Sequence, residues 1–286
     1  RIDTKNYINF LNKSINFFSQ KKKFKPVKFS DPESIKDPVF LVGFPRSGTT
    51  LLDTILRTHN IMDVLEELPL IDNFINVLEE NLGNDLSKLE NISKDLFLSM
   101  RKIYFNEREK YILNDNNKIL VDKLPLNIIH AAEISYFFPD SKFILALRNP
   151  YDVVLSCFMQ QFGPNRATIH FTSLRNTAII YDLVMSLWFV YIEKFNLKTH
   201  QIKYEDVVKN FEYTIKELLD FLNLDWSEKL KSFNKTAIER GIINTPSSSQ
   251  VNQPLYDRSI ERWRNYENEF NEVKSILDKW VKKFNY

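Results

Sequence analysis

Residues 38–52 read Pro-Val-Phe-Leu-Val-Gly-Phe-Pro-Arg-Ser-Gly-Thr-Thr-Leu-Leu, and this stretch narrows the possible folds more than any other. The four apolar residues 39–42 form a short buried strand. Gly43 to Gly48 make a tight turn, and a helical pattern starts at Thr49. A strand feeding a glycine-bracketed loop and then a helix N-terminus builds an anion cradle. Backbone N–H groups point into the turn, and the helix dipole adds partial positive charge there. The plainer reading is a strand-to-helix turn that binds nothing. The chain has five glycines, two of them in this loop, which favours the cradle.

Four residues separate Gly43 from Gly48, the spacing of a phosphate-binding P-loop. One position departs from it. Thr49 stands where an NTPase places the Lys that reaches the β- and γ-phosphates, and the cation comes earlier, as Arg46. Magnesium would also need a Walker-B Asp, and no apolar strand here ends in a plausible one. The loop is therefore expected to hold a 5′-phosphate without metal, through Arg46, Ser47, Gly48 and the hydroxyls of Thr49 and Thr50. A magnesium-nucleotide kinase and a non-catalytic nucleotide-binding module stay open as alternatives, with Thr49 against the first.

Phe44 to Leu52 resembles the 5′-phosphosulfate loop of sulfotransferases that use 3′-phosphoadenosine 5′-phosphosulfate (PAPS). The resemblance implies a second motif, a strand ending in Arg with a Ser eight residues on, to grip the 3′-phosphate. Residues 143–156 supply it: Phe143 to Leu147 reads as a buried strand, Arg148 ends it, Pro150 favours a helix start, and Ser156 follows two turns along. The bacterial sulfotransferases that often follow tetratricopeptide repeats, and the tyrosylprotein sulfotransferases, are the families most similar. Segments 155–162, 203–206, 243–251 and 254–266 carry the similarity from about Pro38 to the C-terminus. It implies an α/β fold with a P-loop-type parallel sheet flanked by helices, PAPS as donor, adenosine 3′,5′-bisphosphate as product, and no metal.

Sulfuryl transfer needs a base for the acceptor hydroxyl, and a positioned carboxylate contributes about 10²- to 10⁴-fold. By alignment with the Gly-Glu-Glu motif of the tyrosylprotein enzymes, Glu67 takes the place of their base, with Leu65 replacing the Gly. Glu66 beside it is the second candidate. His59 and His130 are the histidines nearest the motifs, and each reads better as a packed or surface residue. Lys123 resembles the lysine beside the bridging oxygen, where a cation stabilises the leaving phosphate. Ser247, three residues before Gln250-Val251, matches a serine on the phosphosulfate, with Ser248 and Ser249 as alternatives in register. Tyr204 is expected near the nucleotide end and Arg262 against the 3′-phosphate, where the family has Lys. Gln160 departs from the second Arg of the tyrosylprotein enzymes, and Arg166 or Arg258 are its candidate replacements.

The rest of the chain alternates strands and helices. Helical patterns cover 51–57, 66–78, 93–111, 128–138, 181–195 and 213–222, with strands at 117–122 and 200–204. Alternation of this kind implies a parallel sheet covered on both faces, with ligands at the strands' C-terminal ends. Residues 1–30 read as an N-terminal helical extension packed on the main domain, 31–286. The resemblance adds another origin, a remnant of an upstream repeat. A start at Arg1 instead of Met fits a piece of a longer protein. A net charge of +2 excludes a strongly polycationic nucleic-acid binder. One cysteine, Cys157, forbids an internal disulfide and suits a reducing compartment. With no membrane-spanning run or signal peptide visible, the expectation is a cytoplasmic enzyme. Its partner is an acceptor hydroxyl on a peptide tyrosine, a glycan or lipid, or a small molecule. Segments 79–116 and 160–178 are the expected acceptor-facing regions.

Overall fold

A computed structural model describes residues 4–23, 29, 35–83, 85–112, 118–240, 255 and 257–286. Five strands form one parallel sheet among these residues: β1 (Val39–Gly43), β2 (Met62–Glu66), β3 (Ile119–Lys123), β4 (Lys142–Leu147) and β5 (Lys198–Lys203), in the order β2-β3-β1-β4-β5. Strand β1 is central because every residue in it is buried. Its side chains alternate between two cores. Phe40 and Val42 face one, with Phe143 and Leu145 of β4, while Val39 and Leu41 face the other, with Ile144, Ala146 and Val121. Such double burial is why these strands read as continuous apolar runs.

Helices cover both faces. On the Val39 side lie α2 (Thr49–Arg57) and, later in the chain, α9 (Phe211–Leu222) and α10 (Phe233–Arg240). The Phe40 side takes α1 (Thr4–Ser19), α3 (Leu70–Leu82), α4 (Lys94–Glu109), α5 (Ala131–Phe137), α6 (Pro150–Met159) and α7 (Leu174–Phe195). Short α8 (Tyr204–Lys209) follows β5 directly, and a C-terminal helix spans Lys274–Phe284. Helix α1 packs along α7 and seals Leu11 and Phe18 from solvent. No described helix is long and apolar enough to cross a membrane.

Two boundaries differ from the sequence expectation. The pattern read as a helix from Glu66 onward is instead β2, a turn at Glu67, and α3 from Leu70. Residues 62–66 form a strand because β3 pairs with them in full register, from Met62 with Ile119 to Glu66 with Lys123. That pairing is a tertiary fact with little local signal. Residues 125–130 form a 3₁₀ turn ahead of α5, so the helix expected from 128 begins at Ala131.

Candidate active site

Chain order reverses at β1, with β3 on one side and β4 on the other. Ligands of open α/β sheets bind outside the strands' carboxyl ends at such a point. The phosphate loop leaves β1 there. Gly43 is required by space: a Cβ on it would sit 2.7 Å from the Ala146 carbonyl oxygen and 2.9 Å from Ser47 Oγ. Gly48 is required by conformation and space together, with φ of 97° and a would-be Cβ 3.2 Å from the Tyr204 ring. Ser47 turns inward, both its N–H and its hydroxyl donating to the Phe44 carbonyl, at 3.2 and 2.6 Å. Phe44 anchors the loop, packing 5.1 Å from Tyr181 and 5.5 Å from Phe171. Thr49 and Thr50 open α2, both nearly buried, and the first N–H groups of that helix have no partners within it.

Arg46 adopts φ of 70°, the left-handed region that non-glycine residues rarely occupy. This conformation lets its Nε donate to Ser156 Oγ on α6 at 3.0 Å. The loop's back rests on the same helix, where Cys157 Sγ donates to the Pro45 carbonyl at 3.2 Å. Burial pushes the Cys157 thiol well above its ordinary pKa, so it stays protonated. Arg148, one residue past β4, donates to the Arg46 carbonyl at 3.3 Å and to that of Ser259, and its guanidinium lies 5.3 Å from the Tyr204 ring. Its Nε is buried and has no hydrogen-bond partner among the described residues.

The C-terminal segment is tied to α6 around Arg262. Asp152 accepts from the backbone N–H groups on either side of it, Glu261 at 2.7 Å and Trp263 at 2.9 Å. The Trp263 ring stacks on Tyr151 at 4.5 Å. Arg262 is exposed, beside the helix that carries Ser156. Gln160 is exposed at the end of α6 and donates to the Gln161 carbonyl. Ser247, Ser248 and Ser249 lie outside the described residues.

A second constellation sits at the ends of β2 and β3. Lys123 is fully buried, and its Nζ is 2.9 Å from Glu67 Oε1, 3.2 Å from Glu66 Oε1 and 3.8 Å from Asp53 Oδ2. Glu67 extends the ladder by one bond, its N–H donating to the Lys123 carbonyl at 2.7 Å. A φ of 52° then swings the chain toward α3. The Glu67 side chain is 32% exposed while those of Glu66 and Asp53 are sealed, so Glu67 is the carboxylate of this group that a substrate can reach. Asp53 is the residue that sequence reasoning missed. It lies one helical turn past the phosphate loop, holds Arg57 at 3.0 Å, and approaches Lys123 only once β3 lies beside β1.

Asp122 does not steer Lys123, because neighbouring strand residues point to opposite faces. It accepts from the Tyr104 hydroxyl at 2.9 Å and from Asn127 at 3.4 Å, and burial raises its pKa to about 7. His59 is buried at the far end of α2, bonded to the Asp225 carbonyl at 3.1 Å and to the Ile61 N–H at 3.4 Å. Both ring nitrogens serve the fold there. Burial, with the Arg166 charge added, lowers His130 to about 4.

A family model described as the Sulfotransferase family matches residues 38–228. The chain belongs to the sulfotransferase family. It is 30% identical over 259 residues to an uncharacterized protein of Aquifex aeolicus, covering 87% of this chain and 33% of that one. It is 22% identical over 248 residues to protein-tyrosine sulfotransferase 2 of Gallus gallus, covering 79% and 62%. The chain thus spans less than two thirds of these relatives. Among solved structures, the sulfotransferase domain of the Synechococcus PCC 7002 olefin synthase superposes with a TM-score of 0.53 at 21% identity, over 91% of this chain and 99% of that one. Sulfotransferase STF9 of Mycobacterium avium superposes with a TM-score of 0.54 at 12% identity, over 99% and 81%. The parallel sheet flanked by helices is the sulfotransferase fold.

Proposed function

We propose that this protein transfers the sulfuryl group of PAPS to an acceptor hydroxyl, with Glu67 as general base. The observation that carries this reading is the meeting, at one edge of the sheet, of a glycine-built phosphate loop with the Lys123–Glu67 pair. The residues fit the donor. A side chain at Gly48 would fill the cradle against Tyr204, and the buried Arg148 Nε has a bond left to make.

The loop N–H groups, Arg46, Thr49 and Thr50 would hold the 5′-phosphate side, with Ser47 stiffening the turn. Arg148, Ser156 and Arg262 would hold the 3′-phosphate, and Tyr204 the nucleotide end. Ser247 is assigned to the phosphosulfate on resemblance alone. The bound donor supplies an electrophilic sulfur. Glu67 takes the acceptor's proton as the acceptor oxygen bonds to sulfur and the bond from sulfur to the bridging phosphate oxygen breaks. Lys123 meets the charge left on that oxygen. In the unliganded arrangement Lys123 holds Glu67, so a phosphate arriving at Nζ would release the carboxylate for work.

Thr49 stands where a magnesium-nucleotide kinase needs Lys, which disfavours that alternative. Calorimetric titration with adenosine 3′,5′-bisphosphate, beside ATP with Mg²⁺, decides between them. Tight metal-free binding of the bisphosphate is expected, and binding of ATP with Mg²⁺ alone would overturn the assignment. A cytoplasmic setting and the division of the chain at residue 30 belong to the same proposal.

A further inference from the structure

The N-terminal helix reaches the region beside the Lys123–Glu67 pair. Tyr7 on α1 is buried, 6% exposed, and its ring stacks on His170 at 6.1 Å. The next residue, Phe171, packs on Phe44 of the phosphate loop. Phe10, one turn along α1, faces the His130 ring at 6.0 Å. Asp72, at the start of α3 and five residues past Glu67, is close enough for its charge to act on both Tyr7 and Asp122, the neighbour of Lys123. Arg166 acts in turn on Asp72 and His130. One neighbourhood thus joins α1, the 160–173 loop and the proposed catalytic pair.

Within it, the Tyr7 hydroxyl and His130 Nδ1 are sealed from water and have no hydrogen-bond partner among the described residues. Native interiors rarely leave such groups unmatched, and a buried Tyr hydroxyl ordinarily finds a partner. Both stay uncharged at neutral pH, since burial holds the phenol protonated and lowers the imidazole to about 4. The fixed charges form one opposed pair, Asp72 and Arg166. Aromatic faces, neutral hydrogen-bonding atoms and a balanced charge pair suit an uncharged molecule rich in hydroxyls. An anionic peptide would meet the Asp72 carboxylate with a single compensating arginine.

We infer that α1 forms part of the acceptor site, and that the Tyr7 hydroxyl positions a polyhydroxylated, uncharged acceptor by bonding a hydroxyl other than the one sulfated. This rests on the proposed sulfuryl transfer. Tyr7→Phe isolates it, because the variant keeps the ring and its stack on His170. Wild type and variant are first titrated with adenosine 3′,5′-bisphosphate. Transfer of radiolabelled sulfate is then measured to methyl glucoside, methyl galactoside, lactose and maltotetraose, and to tyrosine peptides with and without flanking glutamates.

The expected result is transfer to at least one glycoside and none to the acidic peptide. The variant should raise the acceptor KM about tenfold, the scale of one lost hydrogen bond, with bisphosphate affinity and donor KM unchanged. Transfer confined to tyrosine peptides overturns this inference alone. So does an unchanged acceptor KM in the variant, or bisphosphate binding without transfer to any glycoside. A chain that does not bind the bisphosphate brings down the proposed function as well.

Discussion

At 2.9 Å, Lys123 and Glu67 hold each other in a pocket that also contains Glu66 and Asp53, which separates what their substitutions should do. Glu67 is partly open, so Glu67→Gln should leave the fold intact and slow turnover about 10²- to 10⁴-fold. Steady-state kinetics beside bisphosphate titration checks this, and near-wild-type turnover would remove Glu67 from the base role. Lys123 is different, because it is the buried cation among three carboxylates. Removing one partner from a buried ion cluster leaves uncompensated charge and costs about 3–5 kcal/mol. Lys123→Ala should therefore unfold earlier in urea as well as lose activity, and its activity is interpretable only below that transition. A Lys123→Ala protein as stable as wild type would mean that the cluster is not closed in solution.

The loop and the helices around it make predictions at the scale of elements. Gly48→Ala places a Cβ against Tyr204 at a φ that L-residues rarely adopt. The strain is about 1–3 kcal/mol, and because it falls on the phosphate loop, bisphosphate affinity should drop at least tenfold in calorimetry. Unchanged affinity would show that the loop can move aside at no cost. Helix α1 is held by the fully buried Leu11 and Phe18, the latter packed edge-on to Tyr191 and Phe195 of α7. Phe18→Ala should cost about 3–5 kcal/mol, read from the midpoint of chemical denaturation. A loss under about 1 kcal/mol would mark α1 as an attachment whose packing the rest of the fold does not depend on.

For the whole molecule, two sealed carboxyls shape stability against pH. Burial raises Asp122 and Glu133 to about 7, and Glu133 Oε2 has no partner among the described residues. Ordinary carboxylates titrate near about 4. Between these values the folded protein keeps protons that the unfolded chain has released. Each group's contribution therefore falls as pH rises from about 4 to 7 and is level above. His130, lowered to about 4, works in the opposite direction up to about pH 6.5 and offsets one of the two. Glu133→Gln removes one falling term. Relative to wild type, the variant should gain up to about 1.4 kcal/mol per pH unit between pH 5 and 7. Urea denaturation at three pH values tests this, and parallel wild-type and variant curves would place Glu133 in contact with water.

Local chemistry made the donor side legible. Glycines at 43 and 48, Thr49 in place of Lys, and an Arg at the end of an apolar run each carry their reason within a few residues, so strand, loop and helix could be read in order. The sequence by itself therefore determined the α/β class, the phosphate loop and the pairing of Arg46 with a second motif around Arg148 and Ser156. Tertiary structure alone decided the rest. Residues 62–66 became a strand because β3 offered a partner, which moved Glu66 from a helix start to a sheet edge and put Glu67 in the turn beyond it. Asp53 and Lys123 meet because β1 and β3 are neighbours, although 69 residues separate them in sequence. Tyr7 and His170 stack because α1 returns to α7. Contacts of this kind depend on which elements lie side by side, and no local pattern of apolar and polar residues encodes that choice.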